Sequence, residues 1–168
     1  MSAELDTPPS DAESPDETVE ASFPAVDPDP FDRVLVLVDG EETGRAAVET
    51  GMQLADGFGA DVDALFVVDT PRHWDFAVER QEARGEAAVE SAADCGERLG
   101  LEVEKWFRYG RTHEQVLDFA ESHDVDAIVA GSPRSSGLGR LLRPDSLTPR
   151  LQRDAEVPVV VVGAGGDG

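Results

Sequence analysis

Five apolar runs alternate with amphipathic segments along the chain, and this alternation constrains the fold more than any other feature. The apolar runs lie at residues 33–40, 61–69, 101–110, 125–131 and 157–163. The segments between them space their apolar residues as helices do, most clearly over residues 77–99. Strands joined in turn by helices form right-handed crossovers and a parallel sheet covered on both faces. The sequence therefore predicts an α/β fold, a doubly wound, Rossmann-type sheet of five parallel strands.

The character of single elements predicts their place in this sheet. Residues 33–40 are apolar and rich in valine, which is typical of a central strand buried on both faces. Residues 101–110 begin by alternating apolar and charged side chains, as a half-exposed edge strand does. Thr43 and Thr112 stand where the first and third helices would start, so we expect both to act as N-caps. Cys95 falls on an apolar helix face, which favours a core position.

The charge of the chain excludes two classes of partner. The chain has 36 acidic and 14 basic side chains, which gives it a formal net charge of −22. Such a surface repels nucleic-acid phosphates and anionic lipid, so we expect neither nucleic acid nor a membrane as partner. Lys105 is the single lysine among these bases, and an acidic, lysine-poor surface is tolerable where salt screens it. This composition predicts a halophilic protein from a haloarchaeal cytoplasm; an ordinary acidic protein with a charged tail is the alternative.

Composition also divides the chain into three parts. Residues 1–30 carry nine acids, six prolines and no base, which predicts a disordered acidic tail. This tail is interpreted as a solvating segment, with a docking arm for a regulatory protein as the alternative. Residues 31–164 form the single domain, and residues 165–168 a flexible C-terminus. No apolar run approaches the ~20 residues that span a bilayer, and the amino terminus opens with acids, so we expect a cytoplasmic protein.

Several segments in a fixed order resemble the universal stress protein family. They are a first strand that ends in VLVLVDG, a second that ends in LFVVD, the stretch YGRTHEQVLDFAESHDVDAIVAGS, and a closing AEVPVVVVG. The resemblance covers residues 32–164. It implies a stress-response protein, a homodimer in many members, with a site for adenine nucleotides in some.

The resemblance extends to the loop after the fourth strand, with changes at most of its defining positions. Family members that bind ATP carry the pattern G-x2-G-x9-G-[ST] there, and its glycines bring backbone N–H groups close to the phosphates. Gly131 matches the first position, whereas Arg134, Pro144 and Asp145 occupy the others. Pro144 has no N–H to donate, and Asp145 places a carboxylate where a phosphate would lie. We therefore expect a degenerate loop that binds ATP weakly or not at all; a functional ATP or AMP site is the alternative.

The candidate nucleotide site combines two strand ends with this loop. The resemblance places Asp39 near the ribose and Val67 near the adenine. The loop contributes donors and cations at Gly131, Ser132, Arg134, Ser135, Ser136, Gly137 and Arg140, together with Asp145. In the alternative interpretation Asp39 caps a turn and the loop merely connects two elements. No metal site is expected, because the three histidines lack ligand-like spacing to one another or to Cys95.

Three functions stay open at this point. In the first, the protein is a stress protein that binds a nucleotide. In the second, it has the same fold but binds no nucleotide and acts as a partner-binding module. In the third, it is an enzyme related to the adenine-nucleotide α-hydrolases. The enzyme is the least favoured, because DGEETGR after the first strand lacks a Ser-Gly-Gly pattern. Residues 157–163 are apolar, and the resemblance places them at a sheet edge, where unpaired backbone groups invite pairing. We predict a homodimer through the fifth strand, Val159–Val162.

Overall fold

The computed structural model describes residues 31–70, 75–132 and 146–163; the side chains of Glu42, Asp75 and Phe76 lie outside this description. Five strands and four helices alternate along these residues. They are β1 (Arg33–Leu37), α1 (Glu42–Phe58), β2 (Asp61–Val68), α2 (Asp75–Arg98), β3 (Val103–Tyr109), α3 (Thr112–Ser122), β4 (Ala127–Gly131), α4 (Leu147–Asp154) and β5 (Val159–Val162). The predicted alternation of strands and helices is confirmed.

The strands form one parallel sheet in the order β3-β2-β1-β4-β5. β1 lies at the centre and four of its five residues are buried, as its continuous apolar run predicts. β3 and β5 form the two edges, which confirms the edge positions predicted for both. The chain reverses its direction of travel across the sheet between β1 and β4. In open α/β sheets ligands bind at such a switch point, beyond the carboxyl ends of the strands.

Helices cover the sheet on both faces, which makes the fold doubly wound. α1 and α2 pack on one face around residues such as Val36, Met52 and Phe66. α3 and α4 pack on the other face around residues such as Leu35, Phe119 and Leu151. These clusters account for the continuous burial along β1 and β2, since neighbouring residues of a strand face opposite sides and both sides are covered.

The two predicted threonine N-caps are wrong. Glu41 and Arg111 occupy the N-cap positions of α1 and α3, and neither makes a side-chain capping hydrogen bond. Thr43 lies inside the first turn of α1, where it is buried, and Thr112 is the first residue of α3. The physical reason is packing: the first turn of α1 lies directly against the end of β4, so burial of Thr43 outweighs its preference for a cap.

A buried carboxylate interrupts the core on the α3 side. Asp63 is 1% exposed in the middle of the sheet. One of its oxygens, Oδ2, lies 3.2 Å from the guanidinium of Arg33, and the other accepts a hydrogen bond from Nε1 of Trp106 at 3.0 Å. Trp106 in turn packs edge-on against Phe119 and His123. The carboxylate of Asp63 thus links β1, β2 and β3, and Trp106 is a packing residue.

Cys95 is half-buried and packs against the α1–α2 side of the core, which agrees with the position predicted for it. The proposed acidic tail and residues 165–168 lie outside the described residues. Within the described ranges, none of the helices is long and apolar enough to cross a membrane.

Candidate functional site

The carboxyl ends of β1, β2 and β4 meet beside the switch point of the sheet. The register pairs Val36 of β1 with Val129 of β4, so Val38 lies level with Gly131. On the other side β1 pairs with β2, and the N–H of Val38 donates to the carbonyl of Leu65 at 2.9 Å. The sheet therefore brings Asp39, Val67 and Gly131 to one edge, as the sequence predicts.

Asp39 lies over the first turn of α1. Its Oδ1 accepts a hydrogen bond from the backbone N–H of Glu41 at 2.8 Å. A Cβ atom at Gly44 would fall 1.9 Å from that same oxygen, so glycine is needed for the carboxylate to lie there. Burial raises the pKa of Asp39 above its ordinary value, and the N–H of Glu41 opposes this shift. Asp39 therefore does cap a turn, and its partly buried carboxylate lies at the switch point.

Gly131 fixes how closely β4 approaches α1. A Cβ atom on Gly131 would lie 2.5 Å from the carbonyl oxygen of Thr43 and 3.1 Å from the backbone nitrogen of Gly44. These neighbours are backbone atoms, which cannot rotate away as the end of a flexible side chain can. The glycine thus provides close packing between strand and helix. The next residue, Ser132, donates its backbone N–H to the carbonyl of Val162 at 2.8 Å, so this N–H extends the sheet.

Val67 turns its backbone polar groups toward the space beyond the end of β1. The residues of a parallel strand present their N–H and C=O groups alternately to the two neighbouring strands. Leu65 bonds toward β1, through its carbonyl, whereas Val68 bonds toward β3, where its carbonyl accepts from Gly110 at 3.0 Å. Val67 therefore faces the β1 side, and β1 has ended at Leu37. One donor and one acceptor of Val67 point toward the edge that Asp39 borders.

Two side chains on α2 complete this edge, and the sequence analysis did not single out either of them. Gln81 accepts a hydrogen bond from the backbone N–H of Asp69 at 3.1 Å, just after β2. Arg84 pairs with Glu41 at 3.2 Å, and its charge opposes the upward shift of the pKa of Asp39. Both residues come from a helix far along the chain from β1. No local sequence signal predicts that they lie there.

The loop residues of the predicted site lie outside the described residues. The ones concerned are Arg134, Ser135, Ser136, Gly137, Arg140 and Asp145, together with Pro144. The residues placed at the edge by the structure are thus Asp39, Val67, Gly131 and Ser132.

The described edge is suited to binding. It offers the carboxylates of Asp39 and Glu41, the guanidinium of Arg84 that pairs with Glu41, and backbone donors and acceptors at the ends of two strands. Across the described ranges, no cluster of three or more His, Cys, Asp or Glu side chains could hold a metal ion. His113, the histidine at the start of α3, lies 2.9 Å from the carboxylate of Asp154 and links α3 to α4.

Comparison with known proteins identifies the family. The model of the universal stress protein family matches residues 30–163. Universal stress protein MJ0531 of Methanocaldococcus jannaschii is 26% identical over 140 residues, which are 79% of this chain and 82% of that protein. YxiE of Bacillus subtilis, also a universal stress protein, is 23% identical over 147 residues, covering 79% of this chain and 99% of YxiE.

Solved structures share the fold. A universal stress protein in complex with cAMP superposes with a TM-score of 0.66 at 21% identity, covering 80% of this chain and 98% of that one. The universal stress protein of Archaeoglobus fulgidus in complex with dAMP gives a TM-score of 0.61 at 18% identity, covering 79% and 98%. Because the family match spans nearly all of the described residues, the chain belongs to the universal stress protein family.

Proposed function

We propose that this universal stress protein binds an adenine nucleotide at the switch point. The site contacts the base and the ribose well and a triphosphate poorly, so it prefers a nucleotide with one phosphate to ATP. The observation that carries the proposal is the juxtaposition of the Val67 backbone and the Asp39 carboxylate beyond the end of β1. A strand backbone offers the paired donor and acceptor that an adenine edge requires. A carboxylate beside it can accept hydrogen bonds from ribose hydroxyls.

The phosphate end of the site is weakened by its sequence. Pro144 supplies no N–H, and Asp145 adds a negative charge at the positions where the family loop has glycine and serine or threonine. The N–H of Ser132 is engaged by the sheet. Arg134 and Arg140 supply cations, which suit a single phosphate. A chain of three phosphates needs more donors than the sequence retains.

Ligands of structural relatives support a monophosphate. The structures described above contain cAMP and dAMP, each with one phosphate. We therefore favour AMP-like ligands over ATP, and a sensing or carrying role over catalysis. At the described edge the carboxylate of Asp39 accepts the backbone N–H of Glu41, and the carboxylate of Glu41 pairs with Arg84, so both are engaged in holding the edge together.

Restoring the family loop tests the proposal. The variant Arg134→Gly, Pro144→Gly, Asp145→Ser returns backbone donors and the family hydroxyl. It removes one negative and one positive charge, so its net charge is that of the native protein. We expect its ATP affinity, measured by calorimetry at molar salt, to exceed that of the native protein by about tenfold or more, which corresponds to one charge-assisted hydrogen bond. Asp118→Ser on the exposed side of α3 removes a carboxylate elsewhere, as Asp145→Ser does in the loop, and should leave ATP binding unchanged. No gain in the restored loop would contradict the proposal.

We also propose that the protein assembles as a homodimer through β5. β5 has β4 as its neighbour and is partly exposed, with Val160 at 36% exposure. The carbonyls of Pro158 and Val162 accept hydrogen bonds from the N–H groups of Ile128 in β4 and of Ser132 just after it. By alternation, Val159 and Val161 turn their backbone groups outward, and an antiparallel copy of β5 would satisfy them. The backbone groups of the even-numbered residues of β5 face β4. The proposed interface therefore depends on Val161, whose backbone groups face outward.

A further inference from the structure

The side-chain amide of Gln81 is satisfied at its oxygen and not at its nitrogen. Oε1 accepts a hydrogen bond from the backbone N–H of Asp69 at 3.1 Å. Nε2 of the same amide is buried, and it has no hydrogen-bond partner in the part of the chain that the structure describes. Only the oxygen of an amide can accept an N–H, so the bond to Asp69 fixes which end of the amide is which. A buried donor without an acceptor costs free energy, and a bound molecule that supplies an acceptor removes this cost.

This amide lies on the same side of β2 as the backbone groups of Val67. The N–H of Asp69 belongs to the same peptide unit as the carbonyl of Val68, and in a trans peptide these two groups point in opposite directions. The carbonyl of Val68 faces β3, where it accepts the N–H of Gly110 at 3.0 Å. The N–H of Asp69 therefore faces the β1 side, and Gln81, which accepts it, lies there too.

The packing of α2 holds Gln81 over this end of the sheet. Gly85 lies so close to Phe66 of β2 that a Cβ atom on the glycine would fall 2.5 Å from the ring. A Cβ atom on Gly40, just after β1, would likewise fall 2.5 Å from the side chain of Arg84. Residues three and four positions apart share one face of a helix, so Gln81 lies on the face of α2 that covers the ends of β1 and β2.

Three groups thus follow one another along the β1 side of β2, in the order donor, acceptor, donor. They are the N–H of Val67, its C=O, and Nε2 of Gln81. Adenine presents the complementary order: N1 accepts, the N6 amino group donates, and N7 accepts. The Val67 backbone alone suits cytosine equally well, because N3 and N4 of cytosine repeat the pattern of N1 and N6. Cytosine has no counterpart of N7, so the third group of the row distinguishes the two bases.

We propose that Gln81 determines the base specificity of the nucleotide site: its Nε2–H donates to N7 of the purine and thereby favours adenine over cytosine. The inference rests on the proposed function, since it requires the base to lie against Val67. The bound base then supplies the acceptor that Nε2 lacks among the described residues.

AMP and 7-deaza-AMP, in which a C–H group replaces N7, provide the test because they differ only at the atom that Gln81 contacts. In calorimetric titrations of the native full-length protein at molar salt, 7-deaza-AMP should bind about tenfold more weakly than AMP, the loss of one hydrogen bond. Gln81→Met keeps an unbranched side chain and removes the N–H. This variant should bind AMP about tenfold more weakly than the native protein does, and it should bind both nucleotides equally.

Gln53→Met is the matched control, since Gln53 is exposed on α1, and it should keep the native affinity for each nucleotide. If Gln81 only supports the end of β2, Gln81→Met weakens both nucleotides alike and their difference persists, which overturns the inference. Equal binding of AMP and 7-deaza-AMP to the native protein overturns it as well, and leaves the proposed function intact. If neither nucleotide binds, the proposed function fails and the role of Gln81 fails with it.

Discussion

Replacing Gly131 by alanine should disturb both the stability of the fold and the nucleotide edge. The added Cβ would lie 2.5 Å from the carbonyl oxygen of Thr43, so the end of β4 and the first turn of α1 must separate by several tenths of an ångström. Overpacking of this kind costs about 1–3 kcal/mol. For a domain of this size we expect the thermal midpoint to fall by about 4–12 °C. Since Asp39 rests on the same helical turn, AMP affinity should fall too.

Gly57→Ala is the matched control for this substitution. Gly57 lies in α1, and a Cβ atom there would meet nothing within 4 Å. Alanine is the better helix former, so this change should stabilise the protein by about 0.5–1 kcal/mol. Thermal unfolding followed by circular dichroism, at one salt concentration for all variants, measures both effects. If Gly131→Ala unfolds at the native midpoint or above it, β4 and α1 are not held together by backbone contact at Gly131.

Three further substitutions have definite expected outcomes. Asp39→Asn should raise the free energy of unfolding at pH 7, because burial disfavours the charge of Asp39. This gain should shrink as the pH falls through the raised pKa of Asp39 toward 3.8, and a gain that grows would contradict the raised pKa. Trp106→Phe leaves the buried Asp63 without one donor and should cost about 1–3 kcal/mol in urea unfolding, whereas an unchanged midpoint would show that the contact adds nothing. Val161→Pro should prevent the proposed β5 homodimer and leave a monomer in sedimentation at molar salt, whereas Val160→Pro should destabilise the fold itself. A dimer in Val161→Pro would exclude this interface.

The order and type of the elements could be predicted because burial leaves a local record in the sequence. β1 is buried on both faces and is apolar after Arg33. β3 is an edge strand, and three of its seven residues are charged. Helix starts could not be predicted in the same way. Thr43 resembles an N-cap in the sequence, yet it is buried because β4 packs on it, and that contact joins residues far apart in the chain.

The candidate site could be predicted only where it lies at strand ends. Asp39, Val67 and Gly131 each follow or end an apolar run, and a parallel sheet brings such positions to one edge. Arg84 and Gln81 reach that edge from α2, and the Arg33–Asp63 pair joins two neighbouring strands. These contacts depend on how helices and strands pack, and neither spacing nor composition records them.

The most direct test compares AMP and ATP in calorimetric titrations of the native protein at molar salt. If the base and ribose end of the site is intact and the phosphate end is weakened by Pro144 and Asp145, AMP should bind saturably and ATP should bind no more tightly than AMP. Asp39→Asn should weaken AMP binding. Micromolar ATP binding that exceeds AMP binding by about tenfold or more would show that the loop is functional and would contradict the proposed preference.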